Sequence, residues 1–188
     1  LDKMSRWEIY IQEIKNTLNN HKSAIILLPD KDSVVKTQDY IKARVNCSCG
    51  VLYRQQSEEL MQWSNIKSGK FNCIIGTRSG IFAPLPNLGL VIIDEEQDTV
   101  YKQDQEPHYH AREVAFMRIN IEKARLILGS TLPSLESFYL AKKGQLKYAF
   151  LPKKRELPEI KIINTQGLST WFKDRKRILE IKRLLHFL

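Results

Sequence analysis

The sequence is poor in cysteine, short of acidic residues relative to basic ones, and without a long apolar run; each shortage excludes a class of protein. The three cysteines, Cys47, Cys49 and Cys73, make no even-numbered disulfide framework. Cys47-Ser48-Cys49 also has one residue too few between its sulfurs for the usual zinc-knuckle spacing. A reduced cytosol is the simplest setting, so a cytoplasmic protein is expected. The longest apolar stretches, Ala24 to Leu28 and Leu90 to Ile93, fall far below the ~18 residues that suggest a membrane span. The start carries no secretory signal pattern, and no membrane partner is expected. Repeats and low-complexity segments are absent from the sequence. Against 21 Asp+Glu stand 30 Lys+Arg, a formal charge of +9, which favours an anionic partner such as nucleic acid over a mere aid to solubility. A chain of 188 residues has room for one ordinary domain with an appendage and for a substantial core.

What is there is organised around Leu88 to Gln97, L-G-L-V-I-I-D-E-E-Q. The run Leu90, Val91, Ile92, Ile93 is β-branched-rich and too short for a helix, so it reads as a strand buried on both faces of a parallel sheet. Asp94, Glu95, Glu96 and Gln97 follow at its carboxyl end, where ligands of open α/β sheets sit. Nucleotide hydrolases use such carboxylates for magnesium and for the attacking water. The plainer reading is an acidic turn after a core strand.

The rest of the chain alternates helices with short apolar strands. Trp7, Ile9, Tyr10, Ile11, Ile14 and Leu18 fall largely on one face of an expected amphipathic helix stopped by Asn19-Asn20, and Ala24 to Leu28 is a buried strand closed by Pro29-Asp30. Val34, Val35 and Ile41 mark a second helix. A strand near Gly50 to Tyr53 precedes a helix opened by Ser57-Glu58-Glu59, and Phe71 to Ile75 is the next strand. Gly76-Thr77-Arg78-Ser79-Gly80 leaves that strand with small residues whose free amides and hydroxyls suit phosphate contact, and with the charge of Arg78. From Asp98 to Arg112 a loop alternates Tyr101 and Tyr109 with Lys102, His108, His110 and Arg112, a pattern suited to base stacking and phosphate contact. His108 and His110 with Glu95 or Glu96 form a weaker metal-cluster reading. Ala111 to Glu122 is expected to be a helix, Arg125 to Leu128 a strand running into the small-residue loop Gly129 to Ser134, Leu135 to Lys142 a helix, and Gln145 to Leu151 a strand. Pro152 to Pro158 reads as a basic linker, Ile160 to Ile163 as a strand, and the tail from Trp171 as a helix whose apolar side lacks a partner, so the chain is expected to continue. The expected fold is a doubly wound, mainly parallel α/β sheet.

These residues carry a resemblance. From Ile74 to Glu136 the chain is similar, in unbroken order, to the first RecA-like motor lobe of the PriA family of primosomal replication-restart helicases, of helicase superfamily 2. The matching runs are I-I-G-T-R-S-G-I-F-A-P-L-P-N-L-G-L-V-I-I-D-E-E-Q, Y-K-Q, Y-H-A-R-E-V-A and G-S-T-L-P-S-L-E-S. The resemblance implies a RecA-like fold of the P-loop NTPase type over 1–151, with 152–188 the linker and start of a truncated second lobe. It implies a lobe of an ATP-dependent 3'-5' DNA helicase acting in replication restart and primosome assembly. ATP and Mg2+ are the implied cofactors; single-stranded or forked DNA, other primosome proteins and single-strand-binding protein are the implied partners. Asp94, Glu95 and Gln97 match the catalytic motif, with Asp94 toward Mg2+, and Ser5 and Arg6 join Asp94 and Glu95 in the nucleotide site. Thr77, Arg78, Ser79, Tyr101, Lys102, Tyr109 and Arg112 fall on the DNA side, and Gly129, Ser130 and Thr131 on the motif that couples nucleotide state to movement.

The departures from that family bear on chemistry. Its G-S-G-K-T phosphate loop precedes E-V-Y-L, whereas here Glu8-Ile9-Tyr10-Ile11 is preceded by Lys3-Met4-Ser5-Arg6-Trp7. The glycines that permit a tight loop, the phosphate-reaching lysine and the metal-binding threonine are replaced. The family's S-A-T becomes Ser130-Thr131-Leu132, and Gln97 replaces a histidine. The family's second lobe, with its zinc site and arginine finger, is not in this chain. Two functions compete: an ATPase lobe, or a catalytically silent primosome-assembly or DNA-binding protein that keeps the helicase fold. The altered phosphate loop favours the second. An unrelated basic α/β phosphatase or nuclease is disfavoured by the ordered motifs.

Overall fold

The computed structural model describes residues 3–53 and 59–151. The expectations for Ser57, Glu58 and everything from 152 onward lie outside those residues, as does the side chain of Ser5.

The elements follow the apolar pattern. The first helix, α1 (Lys3–Asn19), leads through a turn into strand β1 (Ser23–Leu27), then α2 (Lys31–Lys42), β2 (Cys49–Leu52), α3 (Glu59–Lys67) and β3 (Cys73–Gly76). The acidic strand is β4 (Leu88–Asp94); a small hairpin β5 (Lys102–Gln103) and β6 (Tyr109–His110) runs straight into α4 (Ala111–Glu122), followed by β7 (Arg125–Gly129) and α5 (Leu135–Lys142). Local chemistry starts the helices. Asp30 caps α2 by accepting from Ser33 N at 2.8 Å, and Ser134 caps α5 by accepting from Ser137 N at 3.2 Å.

Among the described residues the main sheet has five strands in the order β2-β3-β1-β4-β7, all parallel. Every residue of β1 and of β4 is buried, as expected for central strands covered on both faces. One face packs Ala24, Ile26, Ile75, Leu90 and Ile92 against Tyr10 and Ile14 of α1 and Val34 and Ile41 of α2. The other packs Ile25, Leu27, Ile74, Val91 and Ile93 against Ile66 of α3 and Ala111 and Ala115 of α4. The expected doubly wound parallel sheet is the observed one. No described helix is long and apolar enough to cross a membrane.

Two local expectations are corrected. Gln145 to Leu151 forms no strand: these residues are mostly exposed and pair with no strand among the described residues. Gly76 to Gly80 is not an open turn, because Arg78–Phe82 winds into a 3-10 helix in which Gly80 N donates to Thr77 O at 2.8 Å and Thr77 N to Leu52 O at 3.1 Å. Those amides are therefore already paired rather than free for phosphate.

Candidate functional site

Because β3, β4 and β7 run parallel, the loops 76–80, 94–97 and 129–134 emerge at one end of the sheet, Asp94 lying beside Gly129 in register. The strand buries Asp94, and the chain then turns sharply: Glu95 has φ 50°, a left-handed conformation uncommon for a residue with a Cβ. Such strained positions cluster at functional sites.

Helix α1 brings Arg6 and Tyr10, one turn apart and so on one face, over this corner. Arg6 Nη2 donates to Glu95 Oε1 at 2.6 Å, and its Nε lies 3.2 Å from Asp94 Oδ1. Tyr10 donates its hydroxyl to the same Asp94 oxygen at 3.0 Å. The Arg6 side chain is 7% exposed, so this is a buried ion pair on two carboxylates at once. From the other side Thr131 Oγ1 and Gln97 Nε2 each donate to Glu95 Oε2 at 2.9 Å, and Ser130 donates to Gln97. Burial alone would raise the Glu95 carboxyl, but the bonds from Gln97, Arg6 and Thr131 outweigh it and hold the group at about 2. Burial pulls Arg6 down, while Glu95 and Asp94 more than restore it, leaving its proton held above the usual value. Gly129 is needed for space here: a methyl in its place would overlap the Tyr10 hydroxyl.

Glu96 points the other way, into the interior, where it is 1% exposed. It accepts from Arg112 Nη1 at 2.9 Å, from Ser134 N at 2.7 Å, and from the hydroxyls of Ser134 and Ser137 at 3.0 Å each. One carboxylate thus fastens the end of β4 to the start of α4 and to the cap of α5.

The expected DNA side divides. Tyr101 is fully buried, its hydroxyl donating to Asp94 O at 2.6 Å and Leu27 O at 3.2 Å, so the expectation that it stacks on a base is corrected: it ties together the carboxyl ends of β1 and β4. Arg112 is corrected likewise, being 6% exposed and spent on Glu96. Arg78 donates to Val100 O and Lys102 O at 2.9 and 2.6 Å, which folds the Asp98–Arg112 segment against the 3-10 turn. Lys102 remains exposed, with a loose surface contact to Asp104 at 3.5 Å. Thr77 and Ser79 are half-buried beside Arg78. Tyr109 packs edge-on to the exposed Phe82, ring centroids 5.0 Å apart, so Phe82 rather than Tyr101 shares the aromatic surface with it. A cleft of about 460 Å³ lies along Lys102, Gln103, Asp104, His108, Tyr109 and His110.

The histidine metal reading finds no support among the described residues. His110 Nδ1 accepts from Arg112 N at 3.2 Å as the cap of α4, burial and the nearby Arg112 keep its proton affinity below the ordinary value, and Glu96 is fully engaged elsewhere. Nor do the nucleotide-site residues fit Mg2+ and ATP as they stand. A cation already bridges Asp94 and Glu95, while the side chains of Lys3 and Ser5, at the place of the family's phosphate loop, lie outside the described residues. Sequence reasoning missed Tyr10, Phe82 and Ser137. For Tyr10 the signal was available, since it lies four residues after Arg6.

Comparison with known proteins places these features in context. Replication restart protein PriA of Bacillus subtilis is 36% identical over 162 residues, covering 84% of this chain and 20% of that protein. The PriA proteins of Chlamydia pneumoniae and Synechocystis are 41% identical over 141 residues and 38% over 170, covering 73% and 85% of this chain. The chain spans about a fifth of the length of these relatives. Among solved structures the Pyrococcus furiosus Hef helicase domain aligns with a TM-score of 0.46 at 15% identity, over 72% of this chain and 27% of that one. No protein-family model matches the chain.

Proposed function

We propose, from the premise that this chain is a relative of one segment of the replication restart protein PriA, that it acts as the first motor lobe of a PriA-like DNA helicase in which the ATP site is closed. In this reading the lobe keeps its DNA surface and its place in replication restart and primosome assembly, and it does not hydrolyse ATP. The observation that carries the reading is the Arg6 guanidinium seated on both Asp94 and Glu95. In the site that the resemblance implies, those carboxylates face magnesium and the attacking water. Here a covalently tethered cation takes the charge that the metal would take, and it cannot be released to follow a nucleotide. Phosphoryl transfer depends on positioning and charge stabilisation, and the arginine finger implied for a second lobe is worth about 10³-fold or more in rate. Gly129, Ser130 and Thr131, the coupling residues, hold Tyr10, Gln97 and Glu95 in this closed arrangement.

The expected result is no DNA-stimulated ATP hydrolysis by the 188-residue chain above that of its Glu95→Gln variant. Hydrolysis that Glu95→Gln abolishes would overturn the reading and favour an active lobe, with Asp94, Glu95 and Gln97 as its catalytic set and Asp94 on Mg2+.

DNA contact falls to the exposed Lys102 and the half-buried Tyr109, Thr77, Arg78 and Ser79 beside it. Binding to a fluorescent single strand should weaken steeply with salt, because cations that meet phosphates release counterions. Lys102→Ala should reduce the slope of log affinity against log salt by roughly 0.7, one single-strand phosphate contact. An affinity indifferent to salt would place the surface elsewhere.

A further inference from the structure

The cysteines gather at the amino end of the sheet, the end opposite the carboxylates. Cys49 and Cys73 are register partners on the neighbouring parallel strands β2 and β3, so their side chains share a face. Cys47 folds back onto them: the three Sγ atoms all lie within 4.8 Å of one another, and those of Cys47 and Cys49 are 3.2 Å apart. The backbone holds this approach. Ser48 N donates to Asn72 Oδ1 at 2.9 Å, and Ser48 O accepts from Asn72 N and Cys73 N at 3.1 and 3.2 Å. The short Cys47-Ser48-Cys49 spacing is thereby completed by a third sulfur that is distant in sequence. All three thiols are free; Cys73 and Cys49 are buried and Cys47 is half-buried.

We propose that Cys47, Cys49 and Cys73 form a three-thiolate site for zinc(II), with solvent reaching the fourth position past Cys47. Tetrahedral zinc with Zn–S of about 2.3 Å spaces its sulfurs about 3.8 Å apart, within the spread already present. Thiolates select zinc over magnesium or calcium, which take oxygen ligands. Three thiolates and one zinc carry a single negative charge, and the charge of Lys42 reaches both Cys47 and Cys49 to offset it. Bound metal would rivet β2, at the edge of the described sheet, to β3 and join the loop before β2 to the strand after α3.

The test is an anaerobic titration of the fully reduced 188-residue chain with zinc(II) against a chromophoric chelator. One equivalent should be taken up, and the melting temperature should rise with it. Cys47→Ser, at the half-buried position, should lose at least tenfold in zinc affinity while its metal-free melt matches the parent's. Failure to take up zinc, or uptake undiminished by Cys47→Ser, would overturn the site. So would a reduced chain that ignores zinc and instead loses two thiols to a disulfide in air. If the variant does not fold, cadmium(II) decides on the parent: a sulfur-to-metal absorption band that saturates at one equivalent supports the site, and its absence overturns it.

Discussion

Replacing Arg6 by alanine is expected to lower stability by about 3–5 kcal/mol at neutral pH, the usual cost of removing one partner from a buried ion pair. For a domain of this size that is a fall of roughly 10 °C in melting temperature. The loss has two sources: the packing of a 6%-exposed residue, and the positive charge removed from beside Asp94 and Glu95. The second source makes the prediction specific. Magnesium at millimolar concentration should restore part of the lost stability in Arg6→Ala while leaving the parent unchanged, because only in the variant is the Arg6 cation gone from beside the two carboxylates. The pH dependence has a definite sign. Glu95 is held at about 2, below the ordinary carboxyl value of 4.5, so its bonds in the parent contribute fully above pH 4.5 and are lost as pH falls toward 2. The gap between parent and variant should therefore narrow across that window. Thermal melts of both proteins between neutral pH and pH 2, with and without magnesium, check all of this. Equal melting temperatures at neutral pH would show that the guanidinium does not neutralise the pair.

Tyr101→Ala is expected to cost a further large amount, about 3–5 kcal/mol, the range for removing a buried aromatic ring. Tyr101 is fully buried among residues such as Leu27, Ile93 and Ala111, and its hydroxyl donates to the carbonyls at the ends of β1 and β4. Tyr101→Phe keeps the ring and removes only the hydroxyl, so it should cost on the order of 1 kcal/mol. Both bonds are buried, so single-strand affinity of the folded Tyr101→Phe protein should equal the parent's. Paired melts and anisotropy titrations separate the roles. A Tyr101→Ala protein that melts like the parent but loses DNA affinity would restore base stacking and refute the structural role.

Tyr101 also shows where sequence reading stops. Its setting, alternating aromatics and cations in a polar segment, matches a single-strand surface. Its burial depends on Asp98 accepting from Val100 N at 3.0 Å and turning the chain back onto the sheet, which no local periodicity records. The D-E-E run poses the same difficulty. Which of Asp94, Glu95 and Glu96 faces the site and which is buried follows from the left-handed turn at Glu95, not from their identity. By contrast β1, β4, α4 and α5 were legible because their signals are local: apolar runs of strand length and a helix-capping Ser134. Arg6 lay between these cases. Its replacement of a phosphate-loop residue was visible, but its bridging of two carboxylates required the helix to be docked.

The strand order has a consequence for how the molecule is made. β1 sits at the centre of the described sheet, yet it comes before the other described strands in the chain, and its partners β3 and β4 end only at Gly76 and Asp94. At about 5–20 residues per second a ribosome needs several seconds to deliver both. During that interval Ser23–Leu27 is an apolar strand with both hydrogen-bonding edges open, the kind of template that pairs with other chains. In the folded chain the helices that flank β1 in sequence, α1 and α2, cover one of its faces, and the acidic strand closes one of its two edges.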